Sequence, residues 1–136
     1  MKGFKMLSGM HAIHGNGMQY EIGKEYYIGG APNVCDIGFH FCKTIEDCFL
    51  SYEWDKDIRV FEVDTLYGDV MCGSVNENDT TSRVYASNAI KLVQEIPREK
   101  VLEYLKLNAD SILSKNQGRS FVYIRCGLAE AGICVG

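Results

Sequence analysis

The chain has 136 residues, enough for one hydrophobic core and too few for two separately stable ones, so it is read as a single domain over residues 1–136. With 46% hydrophobic residues, 11% aromatic, 24% charged and two prolines, it can bury enough apolar surface to offset chain entropy, which excludes wholesale disorder. Fourteen Lys and Arg stand against eighteen Asp and Glu, a net charge of −4 with no basic run, so no nucleic-acid partner is expected. No apolar stretch reaches the ~20 residues of a membrane-crossing helix and no leader-like apolar segment follows Lys2 and Lys5, so no membrane is expected and the expected address is the cytoplasm.

In chain order, six glycines within residues 8–30 break any helix and predict a meander of short strands and loops over the first quarter. The runs at 19–22 and 25–28 flank Gly23-Lys24 and predict a hairpin. Gly38-Phe39-His40-Phe41-Cys42 alternates, which places Phe39 and Phe41 on one face of a strand and His40 and Cys42 on the other. Thr44, with Asp47 three residues on, is a capping signal for a helix over 44–53 that carries Ile45, Phe49 and Tyr52 at helical spacing.

Residues 58–63 form the clearest strand, an inner one, and 73–82 is polar and aperiodic, an exposed loop. Extended segments follow at 82–85 and 90–96. Pro97 then opens a helix over 98–115 with Val101, Leu102, Leu105, Ala109, Ile112 and Leu113 along one stripe. Gly118 stops it, and 121–126, rich in β-branched and aromatic residues, predicts a last strand before a small-residue tail. The expected fold class is α+β, a twisted and mostly antiparallel sheet with two helices.

Six cysteines without a leader segment and without a Cys-x-x-Cys spacing are expected as reduced thiols. Cys35, His40, Cys42 and Cys48 match no standard zinc spacing, so no metal is expected, and buried neutral side chains are the plainer reading. A second reading makes Cys42 a nucleophile with His40 as its base; no orienting acid is identifiable for it. His11 and His14 read as ordinary loop side chains.

The strand with His40, the capped helix delivering Tyr52 and the strand at 58–63 resemble the central block of the ADP-ribosyltransferase-like fold. That resemblance implies His40 and Tyr52 at a nicotinamide pocket, Glu95 as the catalytic acid and NAD as cofactor. Lys2-Gly3 or His14-Gly15 stands where that family carries a His-Gly or Arg-Gly dipeptide. A second resemblance covers roughly the first hundred residues. Lys2-Gly3-Phe4, Gln19-Tyr20-Glu21-Ile22-Gly23-Lys24 with Tyr26, and Cys35 with the Gly38-Phe39-His40-Phe41-Cys42 run are similar to an uncharacterised family of small bacteriophage and prophage proteins. It implies a compact intracellular domain of phage or mobile-element origin and brings no known activity. The leading expectation is an accessory protein that binds a host protein or a nucleotide-like ligand, with His40, Tyr52, Phe41 and Lys2 as ligand-binding candidates and no cofactor. The alternative is an NAD-dependent ADP-ribosyltransferase using Glu95. Against both stands the plainer reading, in which Phe39, Phe41, Phe49 and Tyr52 are core and Glu95 is a solvated residue near a helix start.

Overall fold

The computed structural model describes residues 1–13, 17–30, 32, 38–67, 70–74, 83–115 and 122–133. The strands are β1 (Lys2–Ser8), β2 (His11–Ala12), β3 (Glu25–Tyr27), β4 (Phe39–Cys42), β5 (Ile58–Asp64), β6 (Val70–Ser74), β7 (Arg83–Ser87) and β8 (Ala89–Ile96). The helices are α1 (Ile45–Ser51), α2 (Arg98–Leu107), α3 (Ala109–Lys115) and α4 (Val122–Glu130). One antiparallel sheet runs in the order β3-β8-β5-β1-β4-β7-β6, with β2 also paired to β1, so the expected α+β class holds.

The first strand of the chain lies in the middle of this sheet. β1 pairs with β5 along its whole length, from Lys2 opposite Asp64 to Ser8 opposite Ile58. Strand alternation then sorts side chains into two cores. Met6, Cys42, Val60 and Val84 join Phe49, Val101, Leu105, Ile112, Ile124 and Leu128 on the side covered by helices. Leu7, Phe39, Phe41, Phe61, Val63, Ile90 and Leu92 form an aromatic-rich second core, roofed by Tyr20 and by Met10, Met18 and Tyr26 from the glycine-rich segment. Opposite Glu62 and Val63 the register shifts by one residue, leaving Val93 of β8 as an extra residue in the ladder.

Thr44 caps α1 as its sequence predicts, its hydroxyl accepting from the Asp47 N–H at 3.3 Å, although the helix ends at Ser51. The long stripe from Arg98 is one buried face cut into two helices. Asn108 donates its side-chain amide to the Tyr104 carbonyl at 2.8 Å, while its backbone N–H reaches the same oxygen at 3.1 Å, a local alternative that ends α2. Val101, Leu105, Ala109 and Ile112 stay buried across the break.

Two sequence expectations are corrected. Of the segment expected as a strand at 121–126, Phe121 lies outside the described residues and 122–126 are helix: Val122 begins α4, because Ile124 and Leu128, one helical turn apart, both bury completely in the helix-side core. Gly127 lets α4 approach, since a Cβ there would lie 2.6 Å from the Phe49 ring and 3.0 Å from Leu105. The hairpin at Gly23-Lys24 does not form either. Gly23 does turn the chain, with φ of 85°, but β3 pairs with β8, Gln19 bridges to His11, and Ile22 makes a parallel bridge to Leu92. β6 claims Gly73 and Ser74 from the expected loop, whose residues 75–82 lie outside those described. His14, Cys35 and Cys134 also lie outside them.

Candidate functional site

β1 shares one of its edges between two partners. Near its start Phe4 pairs with Cys42 of β4; near its end Leu7 and Ser8 pair with Ala12 and His11 of β2, reached through the turn at Gly9. Gly3 permits the crossing on the β4 side, where a Cβ would stand 2.6 Å from the Cys42 carbonyl oxygen. Between the two pairings the edge opens into a fork, and Lys5 occupies it.

Lys5 leaves β1 on the aromatic side, with Leu7, and is only 6% exposed. Its ammonium donates to the His40 carbonyl at 2.5 Å and lies 5.5 Å from the centre of the Tyr20 ring. Burial brings its pKa down to about 8, partly opposed by the thiols of Cys42 and Cys48 nearby. Among the described residues no carboxylate pairs with it. Tyr20 belongs in turn to a cluster of three rings: it meets Tyr26 edge-on at 5.1 Å and Phe39 at 6.4 Å, and Tyr26 and Phe39 are 6.3 Å apart. Burial, with Tyr26 beside it, pushes the Tyr20 phenol up to about 12. Helixward of the fork, Cys42 and Cys48 are both fully buried in one cluster, and the Cys48 sulfur faces the Phe4 and Thr44 carbonyls at 3.7 and 3.8 Å.

The sequence candidates distribute as follows. His40 shares the helix-side face of β4 with Cys42, opposite to Phe39 and Phe41, as the alternation predicts. It is half-buried, and burial followed by the Lys5 charge moves its imidazole pKa down. Phe41 is fully buried and stacks on Tyr85 at 5.5 Å, a core role. Tyr52 closes α1 and packs half-buried against the helix-side core. Lys2 is exposed at the start of β1.

Glu95 is held elsewhere. It accepts from Arg59 Nε at 2.8 Å and from Nη2 at 2.5 Å, and this guanidinium keeps its carboxyl below the usual carboxylate range. Its strand, β8, is separated from β4 by β5 and β1, roughly 14 Å at about 4.8 Å per strand spacing. Glu95 is opposite Phe61, on the aromatic side, whereas His40 faces the helices. The fold therefore brings the His40 carbonyl to Lys5, keeps Phe41 in the core, and leaves Glu95 and Lys2 outside the fork. Among the described residues no cluster of three or more His, Cys, Asp or Glu could hold a metal ion.

Lys5 belongs to no spacing pattern that points to chemistry. Its only sequence signal is a single charge inside the apolar run Phe4-Lys5-Met6-Leu7. A second unanticipated feature lies on the surface. Tyr27, at the end of β3, is 60% exposed, and Tyr67, just beyond β5, is 74% exposed; their rings lie 6.4 Å apart and 32° from parallel. Two large aromatic groups thus hold each other in place while both remain open to water.

Residues 1–104 match the family described as a domain of unknown function, DUF7666. The chain belongs to that family. The DUF7666 match spans every strand, α1 and most of α2, so it contains both the fork and the Tyr27–Tyr67 pair; α3 and α4 follow it. No curated protein and no solved structure matches the chain. Among the described residues no helix is long and apolar enough to cross a membrane.

Proposed function

We propose that this DUF7666 protein is a phage- or prophage-type intracellular accessory protein that acts by binding a host protein, with Tyr27 and Tyr67 as the anchors of the contact. The resemblance of its first hundred residues to small phage proteins supports the setting, and the exposed tyrosine pair supports the mode of action. Tyrosine supplies contact area with few rotamers to freeze, and a pair already in ring contact in the free protein has lost part of that freedom before binding. Single exposed aromatics are ordinary on protein surfaces; two held ring to ring are a built patch. The ion pair that neutralises Glu95, and its distance from His40, give the alternative of NAD-dependent transfer no comparable support.

The test is affinity capture from bacterial lysate with the wild-type chain and with the double variant Tyr27→Ala/Tyr67→Ala. Both side chains are exposed, so the double variant keeps its fold by circular dichroism. A host protein retained by the wild type and lost in the variant supports the proposal. Equal retention by both, or none by the wild type, overturns it, as does ADP-ribose addition to any lysate protein when NAD is supplied and intact masses are read.

A further inference from the structure

In the strand order β3 closes one end of the sheet, with β8 beside it. The register of the two strands, from Glu25 opposite Lys91 to Tyr27 opposite Ala89, continues to Ile28 opposite Asn88, where the Ile28 N–H donates to the Asn88 carbonyl at 2.9 Å. Opposed residues in an antiparallel ladder alternate between hydrogen-bonded and non-bonded pairs, so Tyr26 bonds to β8 and its neighbours Glu25 and Tyr27 do not. The backbone N–H and C=O groups of Glu25 and Tyr27 therefore point out of the sheet, about 6.8 Å apart along the strand, and among the described residues nothing pairs with them. The strand is held from behind. Tyr26 sends its ring into the aromatic core against Tyr20 and Phe39, its hydroxyl accepts from the Glu21 N–H at 2.8 Å, and the Lys24 ammonium lies 5.4 Å from the centre of its ring. Glu25 and Tyr27 share the opposite face, both exposed, and there Tyr27 meets Tyr67.

We propose that β3 is a receiving edge, to which the protein partner adds an extended segment as a further strand of the sheet. The proposal rests on the reading of Tyr27 and Tyr67 as the contact and names the form the partner takes there. An exposed ring pair alone fits a helix, a loop or a strand. Outward amides and carbonyls two residues apart fit the alternating groups of an extended chain and no regular helix, whose backbone groups bond within the helix. Main-chain hydrogen bonds to Glu25 and Tyr27 supply affinity, and the side chain that the added strand sets opposite Tyr27 supplies selection; aromatic and β-branched residues pair best with a tyrosine there. Because the bond to β8 and the packing of Tyr26 already order β3, binding has to order only the partner's segment. A second copy of this chain fits less well. Antiparallel pairing of two β3 edges about a two-fold at Tyr26 sets Glu25 against Tyr27, and the shortness of β3, with exposed Lys24 and Glu25, protects the edge from joining another whole sheet.

The experiment selects short random peptides on the full-length chain, then resynthesises the tightest binder with a single backbone N-methyl group at each position in turn. Strand addition is expected to show a period of two: a methyl weakens binding by about ten-fold at alternate positions of the bound stretch and leaves it unchanged between them. On the protein side Glu25→Pro removes an N–H that gives nothing to β8 and keeps both tyrosines, a place on an edge strand where proline is tolerated. It is expected to weaken the peptide by about ten-fold with an unchanged circular dichroism spectrum. The N-methyl scan leaves the protein untouched, so it decides the question even where Glu25→Pro is less stable. Failure to select any peptide, or binding without the period of two, overturns strand addition. Binding that is lost in Tyr27→Ala/Tyr67→Ala but shows no such period leaves the tyrosine contact standing and removes the added strand. The period of two with undiminished binding to that double variant overturns the tyrosine contact instead. A dimer of the chain in gel filtration that Glu25→Pro turns into monomer assigns the edge to a second copy and overturns the partner proposed.

Discussion

A lysine buried with no carboxylate partner among the described residues is a cost carried by the folded state, and that cost makes stability depend on pH. The ordinary pKa of Lys5 is 10.5, and burial lowers it to about 8. Between those values the unfolded chain binds the extra proton, so unfolding becomes less favourable as pH rises through that window. Cys48 works in the opposite sense, since its thiol is raised well above its ordinary value of 9.0 and the unfolded chain gives up that proton first. Tyr20, raised from 10.0 to about 12, does the same at higher pH. Stability is therefore expected to rise by about 1 kcal/mol from pH 8 to 9, level off, and fall above pH 10. Urea midpoints measured across that range check it. In Lys5→Met the rise is absent and the decline starts near pH 9. The loss of a partner for the His40 carbonyl in that variant costs about 1–3 kcal/mol, set against removal of the buried charge.

At the scale of elements, α4 is fastened by one glycine and one carboxylate. Gly127→Ala drives a methyl into Phe49 and Leu105 and is expected to cost about 2 kcal/mol, read as a lowered urea midpoint with unchanged slope. Glu130 accepts from Arg98 Nε at 2.6 Å, Arg98 Nη2 at 2.8 Å and Trp54 Nε1 at 3.1 Å, while the Arg98 guanidinium lies 3.9 Å over the Trp54 ring. Arg98→Lys keeps the charge but loses the fork and the stacking, and is expected to cost about 1 kcal/mol by the same measurement. The strands at β4, β5, β7 and β8 and the cap of α1 were legible in the sequence because alternation and capping are local signals. α4 was not: Val122, Tyr123 and Ile124 carry strand propensity, and only the docking of Ile124 and Leu128 between α1 and α2 decides for a helix. The expected hairpin failed for the same kind of reason, since Gly23 fixes a turn but says nothing of which strand receives the residues around it. Lys5 was illegible because its role arises where β1 exchanges β4 for β2, a fact of pairing between distant segments.

The whole molecule carries a family core over residues 1–104 and a helical close formed by α3 and α4. That close is structural: α4 covers Phe49, Leu105 and Val101, all fully buried. A chain ending at Lys115 is expected to expose those side chains, bind a hydrophobic dye and associate, as seen by gel filtration. The surface presents the Tyr27–Tyr67 pair on the far part of the sheet, next to β8, so loss of α4 and loss of partner capture are separable by the double tyrosine variant.

The central place of β1 has a consequence during synthesis. Its main partner, β5, is made much later, so Phe4-Lys5-Met6-Leu7 must wait as an unpaired apolar strand with a single charge to keep it from other chains. The amine that burdens the finished domain is then the gatekeeper of the nascent one. Refolding of Lys5→Met from urea is expected to lose more protein to aggregates than the wild type at equal concentration, even where its native state is as stable, and equal recovery of the two would remove this role.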